Sequence, residues 1–151
     1  MSVKTTERDL GANRIKKSIK NLKGKVVKIG VNEDQGEYPN GVKIALVGFW
    51  NEYGTSRIPQ RSFIRSTLEE NKRKIEAKRN KLLGQVLEGR VSETKALEQL
   101  GWMIKEMIKA KIEKLKDPKN APSTVKGKPD IGNNPLVHTR LLKNAINYVV
   151  E

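Results

Sequence analysis

The sequence predicts an α+β fold, with a small, mostly antiparallel sheet packed with several helices, two of them long. Apolar residues recur at helical spacing across residues 62–89 and 92–115. Short segments rich in β-branched or apolar residues lie at 25–31 and 146–150. The resulting order of elements is helix, two strands, helices and strand, which is typical of an α+β domain.

The first third of the chain is predicted to hold one helix and two strands. Residues 10–22 carry apolar side chains at helical spacing on one side and lysines on the other, which predicts a helix. Residues 25–31 and 42–48 are predicted strands, and the polar loop between them allows an antiparallel hairpin. The end of the second strand stays open, because residues 45–53 are equally compatible with a short helix.

The rest of the chain is predicted to hold three helices, one long loop and a strand. A long helix begins at Ser62 and is broken at Gly89, and Ser92 caps the next helix. Residues 117–135 contain four prolines and no periodicity, which predicts a long mobile loop. A short helix over 137–145 and the final strand complete a single domain spanning residues 1–151.

The apolar stripes of the two long helices are narrow. They are formed by Leu68, Ile75 and Leu82 on the first helix and by Ile104, Ile108 and Leu115 on the second. We expect that one small domain cannot hide both stripes, and that other copies of the chain cover part of them.

The composition limits the class of protein. Of the 151 residues, 36% are hydrophobic and 32% are charged, which predicts a thin core. The absence of cysteine excludes disulfides and thiolate metal sites and is typical of a reducing cytosol. The first ten residues lack the apolar run of a signal peptide, and no segment approaches the roughly 18 apolar residues of a membrane span. We therefore expect a soluble protein made in the cytoplasm, with no membrane partner.

The formal net charge is +14, a field that favours polyanions or acidic protein surfaces. Residues 14–28 contain seven basic residues and no acidic one, and residues 72–81 contain six against Glu76. Two interpretations stay open, namely a nonspecific DNA contact and solvated helix faces matched to an acidic neighbour.

The residues that would carry catalysis are missing from the sequence. His138 is the single histidine, and nothing near it in sequence supplies a nucleophile and an orienting acid. There is no glycine-rich phosphate loop, and the carboxylates follow the Glu–Lys patterning of solvated helices. We therefore predict no enzymatic activity, no cofactor and no bound metal.

Residues 49–65, FWNEYGTSRIPQRSFIR, form the first of two informative segments. Gly54 permits a tight turn that residues with side chains disfavour, and Thr55 can bond the turn backbone. Pro59 stiffens the loop, and Phe63 can plug the start of the long helix into the core.

Residues 134–150, NPLVHTRLLKNAINYVV, form the second segment. Pro135 ends the predicted loop, and Thr139 is positioned to cap a short helix. The apolar side of that helix leads directly into the final strand.

Together the two segments resemble the small tail-component family of long-tailed bacteriophages, also called tail-completion or virion-morphogenesis proteins. The family shows an N-E-[FY]-G-T-x-x-x-P-x-R-x-F stretch, which is matched by Asn51, Glu52, Tyr53, Gly54, Thr55, Pro59, Arg61 and Phe63. Many members also show P-L-[IV]-D-T-G-x-L-x-x-[SA]-I-x-Y-x-V, which is matched by Pro135, Leu136, Val137, Thr139, Leu142, Ala145, Ile146, Tyr148 and Val150. The resemblance spans residues 42–151.

The sequence departs from this pattern at two positions. His138 stands where an aspartate is usual, which puts in doubt any polar contact of that acid. Arg140 stands where a glycine is usual, so we expect a less sharp turn before the last helix.

The resemblance implies a non-enzymatic protein that acts by assembly. Members look like ring-forming subunits at the head-proximal end of the tail, or at the neck that joins the tail to the capsid. We expect a homo-oligomeric ring, six-fold if it continues the tail symmetry, with neck, connector and tail-tube or sheath proteins as partners. It would assemble in the host cytoplasm and end in the virion. The rival class is a basic nucleic-acid-binding module such as a prophage regulator, which lacks a recognisable reading motif here.

The resemblance assigns subunit or neighbour contacts to the loops 54–61 and 118–135. The candidate interface or motif residues are Glu52, Gly54, Thr55, Arg57, Pro59, Arg61, Phe63, Pro135, Leu136 and Thr139. Gly54, Pro59 and Phe63 are equally compatible with a role in holding the fold together.

Arg61 has two alternative roles at this stage. Its guanidinium can pair bidentately with a carboxylate, as a lysine cannot. If the partner is Glu52 in the same chain, Arg61 is structural. If the partner is an acid on the adjoining ring, Arg61 is an assembly contact.

Overall fold

The computed structural model describes residues 11–127, 134–137 and 139–151. Within these residues it contains seven helices and one two-stranded antiparallel sheet, which confirms the predicted α+β class. The helices are α1 (Ala12–Leu22), α2 (Ile44–Tyr53), α3 (Arg65–Glu70), α4 (Lys72–Leu87), α5 (Glu93–Lys114), α6 (Pro122–Gly127) and α7 (Leu141–Ala145), and the strands are β1 (Val27–Val31) and β2 (Ile146–Val150). No helix in the described part of the chain is both long and apolar enough to cross a membrane.

The sheet pairs a strand from the first third of the chain with the strand at its end. β1 pairs with β2 in a register that runs from Val27 opposite Val150 to Val31 opposite Ile146. The predicted hairpin between residues 25–31 and 42–48 is therefore wrong, because the second segment leads into α2. An apolar run cannot separate a buried strand from a buried helix by itself. Here the buried positions of α2 recur at helical spacing, which bears out the alternative of a short helix.

The predicted end of α1 at Leu22 and the predicted start of α5 after Ser92 are confirmed, whereas the predicted start of the first helix at residue 10 lies outside the described residues. Ser92 caps α5, its hydroxyl oxygen accepting the backbone N–H of Lys95 at 3.4 Å. The long helix predicted from Ser62 is instead divided at Asn71 into α3 and α4. The side-chain amide of Asn71 donates to the carbonyl of Thr67 at 2.9 Å, a local bond that competes with a continuous helix.

The segment 117–135 was predicted to be a loop without regular structure. Its middle forms the short helix α6, so this prediction is wrong for residues 122–127, and residues 128–133 lie outside the described part. The helix predicted over 137–145 is shorter, since α7 begins at Leu141. Arg140 precedes it with a φ of 55°, in the left-handed region. The sharp turn is thus kept without glycine, contrary to our expectation, at a cost of about 1 kcal/mol.

Helix α5 lies at the centre of the main core. Its Ile108 and Ile112 are fully buried, together with Phe63, Leu142 and Ile146 from the two motif segments. Leu82 of α4 packs into a second cluster with Val86 and Ala96. One copy therefore covers most of the two narrow stripes: of the six residues named, five are buried or half-buried, and Leu68 remains exposed.

Gly101 of α5 is the position where a methyl group meets the sheet most closely. A Cβ at Gly101 would lie 2.5 Å from Cδ2 of Tyr148 and 3.0 Å from Cγ1 of Val27. We expect Gly101→Ala to lower the free energy of unfolding by about 1–3 kcal/mol through overpacking, measured by urea denaturation.

The matched control for this substitution is Gly84→Ala in α4, where a Cβ meets nothing within 4 Å. Because alanine favours a helix over glycine, this change should raise the free energy of unfolding by up to about 1 kcal/mol. Equal effects of the two alanines would contradict the close packing of α5 on the sheet.

Candidate interface cleft

The two motif segments meet at one cleft of about 350 Å³, although they lie far apart in sequence. Its lining combines Tyr38, Trp50, Arg57, Ile58, Pro59 and Arg61 with Asn120, Thr124, Pro135, Leu136, Thr139 and Leu142. Tyr38 lies in its wall, and burial raises the pKa of this phenol, although hydrogen bonds with Thr139 and Leu142 act in the opposite direction. The resemblance thus names residues that the fold brings together.

Glu52 is a buried residue near the end of α2, and its carboxylate lies at the start of α3. Its carboxylate accepts the backbone N–H groups of Phe63 at 2.8 Å, Ile64 at 2.9 Å and Arg65 at 3.0 Å. The hydroxyl of Ser62 donates to the same carboxylate at 2.8 Å. The three N–H groups are backbone donors that the beginning of a helix leaves without intrahelical partners, and a negative charge is favourable at this end of a helix.

The pKa of Glu52 reflects two opposing effects. Burial by itself raises the pKa of this carboxyl group. The hydrogen bonds from Ile64, Arg65, Ser62 and Phe63 outweigh that effect, so the pKa lies below the ordinary glutamate value. Glu52 is therefore a negatively charged clamp inside the subunit and is not exposed for contact with a neighbour.

Arg65 is the charged partner of Glu52. Its Nε lies 3.2 Å from the Glu52 carboxylate, and its Nη2 donates to the Glu52 carbonyl at 3.1 Å. The same guanidinium lies 4.6 Å from the ring centroid of Tyr53. Sequence reasoning did not single out Arg65, although its position two residues after Phe63 places it in the first turn of α3.

The turn after α2 has the geometry expected from Gly54. This glycine has a φ of +77°, and a Cβ on it would lie 3.1 Å from the backbone nitrogen of Gln60. The hydroxyl oxygen of Thr55 accepts the N–H groups of Arg57 at 3.2 Å and Ile58 at 3.0 Å. The predicted tight turn, and the backbone bonds of Thr55, are confirmed.

Arg61 is buried and does not pair with Glu52, the partner within the chain that one of the two alternatives named. Its Nε donates to the Pro118 carbonyl at 2.7 Å, and its Nη2 donates to the Lys119 carbonyl at 2.8 Å. Its Nη1 donates to the side-chain oxygen of Asn51 at 3.2 Å. Burial lowers the pKa of Arg61. The alternative that pairs Arg61 with Glu52 is wrong, and the guanidinium instead binds groups of Asn51, Pro118 and Lys119.

The second segment is held to α5 by a residue that sequence reasoning passed over. Asn134 donates from its side-chain amide to the Ile112 carbonyl at 3.2 Å and accepts the N–H of Leu136 at 3.1 Å. Thr139 accepts the N–H of Leu141 at 3.4 Å, but it is not the predicted cap, because Arg140 is the N-cap residue of α7. An asparagine directly before a proline is a turn signal that marks Asn134 in the sequence.

The candidate residues divide into two groups by exposure. The buried group, which holds the fold together, consists of Glu52, Arg61, Phe63 and Leu136. The exposed group, which is open to a neighbour, consists of Thr55, Arg57, Pro59 and Thr139. Gly54 and Pro135 are half-buried between them. His138, whose role the sequence left open, lies outside the described residues.

Comparison with protein-family models, with curated proteins and with solved structures found no match. The functional interpretation therefore depends on the residues themselves. The main feature to be explained is the cleft, which is lined by buried motif residues such as Arg61 and Leu136 and by exposed motif residues such as Arg57 and Thr139.

Proposed function

We propose that this protein is a structural component of a long-tailed bacteriophage particle. It forms a ring at the head–tail neck or at the end of the tail, where it completes the tail and joins it to the head. The observation that carries the proposal is the meeting of the two motif segments at one cleft. Two motif matches that are distant in sequence but adjacent in space are more consistent with one shared surface than with two unrelated coincidences.

The exposed residues at the cleft suggest how the subunit meets a neighbour. Arg57 and Pro59 on one side and Thr139 on the other are available at the rim. The net charge of +14 favours an acidic partner surface, because complementary charge steers association and excludes wrong partners. On this proposal the protein works by assembly, without catalytic turnover, in the host cytoplasm and then in the virion.

Mass spectrometry of purified virions, with copy number per particle, tests the proposal. The expected result is a multiple-copy component, at six copies if the ring continues six-fold tail symmetry. Particles made without the protein should leave heads and tails unjoined. Virions that lack the protein, or contain a single copy, would overturn the proposal.

A basic nucleic-acid-binding module is the second candidate, and the charge of α1 and α4 favours it. Within the described residues, Lys16, Lys17 and Lys20 of α1 form no ion pair, nor do Lys72 and Lys74 of α4. Such lysines suit phosphate groups in any sequence.

We expect DNA binding to be weak, independent of base sequence and lost steeply with salt, because phosphate contacts release counterions. Titration of fluorescent duplexes of two unrelated sequences at rising salt measures this. A tight complex with one sequence that survives moderate salt would favour the regulator instead of the virion component.

A further inference from the structure

The two-stranded sheet leaves the outer edge of β1 unpaired. Val26 and Glu151 exchange both backbone hydrogen bonds, at 2.8 and 3.0 Å, so their pair is of the closely spaced kind. Such pairs alternate along antiparallel strands, and Lys28 and Gly30 therefore also face β2. The backbone groups of Val27 and Ile29 point the other way, where no strand of the described chain pairs with them.

The outer edge of β2 is open in the same way. Its partner positions alternate with those of β1, so Tyr148 and Val150 direct their backbone groups away from β1. No third strand pairs with this side within the described residues. A sheet with two open edges is a template for pairing with another chain, and monomeric proteins usually block such edges.

Exposed aromatic side chains accompany each edge. At the end of β1, Gly30 and Val31 border a groove whose other wall is α2. On that wall Phe49 is 57% exposed and Tyr53 is 54% exposed, with ring centroids 4.8 Å apart. On the β2 side, Trp102 of α5 is 57% exposed and shares a shallow cleft with Tyr148.

The two strands carry almost no unpaired charge of their own. Lys28 is the one charged residue within the two strands, and Glu151 neutralises it at 2.6 Å. The excess basic charge lies largely on α1 and α4, where two copies of the chain would repel each other. The strand edges themselves therefore add no unpaired charge to a contact between two copies, although Lys78 and Lys95 lie with Glu98 in the cleft that holds Trp102.

We infer that copies of this chain associate head to tail, with the outer edge of β1 pairing antiparallel with the outer edge of β2 in the next copy. Repeating the β1–β2 unit in one direction keeps all strands antiparallel and all helices on the same face. The aromatic pair of Phe49 and Tyr53 then covers the Trp102 region of its neighbour. A head-to-tail interface closes into a ring when its rotation permits. The ring itself rests on the proposed function, whereas the mode of contact rests on the two edges.

Engineered cysteines test this pairing cleanly because the chain contains no cysteine. Lys28 and Val149 both lie on the sheet face opposite the inward side chains of Ile29 and Tyr148. Lys28→Cys and Val149→Cys proteins are prepared separately, mixed and oxidised, so that a mixed disulfide can form only between molecules. A disulfide needs Cα atoms within about 7 Å, which paired edges provide.

The expected main product is the mixed disulfide, in excess over either homodimer. Its yield should also exceed that of the mixed disulfide formed when the control Lys116→Cys replaces Val149→Cys. Asn147→Cys replaces Val149→Cys in a parallel mixture to capture a register shifted by two residues. A Lys28→Cys homodimer as the main product would overturn the inference in favour of a two-fold β1–β1 contact. The absence of any specific cross-link at high protein concentration would overturn it outright.

The aromatic patches give a second, independent measurement. Phe49→Glu and Trp102→Glu should each abolish the mixed disulfide, whereas Leu83→Glu, at an exposed apolar position of α4, should not. Circular dichroism checks that each variant is folded. If virions contain a ring of the protein but the cysteine variants form no mixed disulfide, the edge pairing is wrong and the proposed function stands. If the mixed disulfide forms but virions lack the protein, the edge pairing stands and the proposed function is wrong.

Discussion

Replacing Glu52 with alanine is expected to lower the free energy of unfolding by about 3–5 kcal/mol, the largest effect of any single substitution considered for this chain. The carboxylate, itself buried, satisfies three backbone N–H groups at the start of α3. Alanine would leave these donors unpaired and would also release Arg65. Urea denaturation followed by circular dichroism measures the loss.

Two controls separate the clamp from a general effect of removing an acid. Glu69→Ala removes an exposed carboxylate from α3 and should change the free energy of unfolding by less than about 0.5 kcal/mol. Glu52→Gln keeps the shape and one acceptor oxygen but loses the charge, so it should fall between the two alanine variants. If Glu52→Ala proved no worse than Glu69→Ala, the clamp would have no energetic role.

The lowered pKa of Glu52 predicts a dependence of stability on pH. In the fold the carboxylate stays ionised at pH values where an unfolded glutamate, near 4.5, has taken up a proton. Its stabilising contribution is therefore complete above pH 4.5 and is lost as the pH falls through the lower, folded pKa. Urea denaturation of Glu52→Gln between pH 6 and 3 should show a weaker fall in stability than the original chain; an identical slope would contradict the assignment.

The parts of the fold that sequence predicted correctly are those with a strong local signal. The stripe of α5 and the Ser92 cap specify one helix, and the periodicity of α1 specifies another. The strand partner of β1 was not predictable in this way. Residues 44–50 are apolar throughout, and their packing against Phe63 and Leu142 in the tertiary structure favours a helix there.

The candidate site was predictable to the extent that it depends on single residues. A positive φ at Gly54 and a core position for Phe63 follow from the residue types. The partners of Glu52 and Arg61 do not, because both side chains bind backbone groups. Every residue has a backbone carbonyl, so the sequence does not show which carbonyl accepts a given side chain. The carbonyl that accepts Arg61 Nε belongs to Pro118, 57 residues further along the chain.

Arg61→Ala is expected to lower the free energy of unfolding by about 2–4 kcal/mol and to release the segment that follows α5. The planar guanidinium binds the carbonyls of Pro118 and Lys119 at the same time and so ties this segment to the turn after α2. Arg61→Lys keeps the charge without the planar fork and should recover only a small part of the loss. Limited proteolysis, with the cut sites mapped by mass spectrometry, should show new cleavage near residues 116–121.

The matched control is Arg57→Ala on the same loop, because the Arg57 side chain is exposed at the rim of the cleft. Its unfolding and proteolysis should equal those of the original chain, while the proposed function predicts a fall in the yield of infectious particles. The two arginines, which lie four positions apart, thus separate an effect on folding from an effect on assembly. Stability lost equally in both variants would show that the whole loop serves the fold. Normal particle yield from Arg57→Ala would remove the rim of the cleft from the proposed interface.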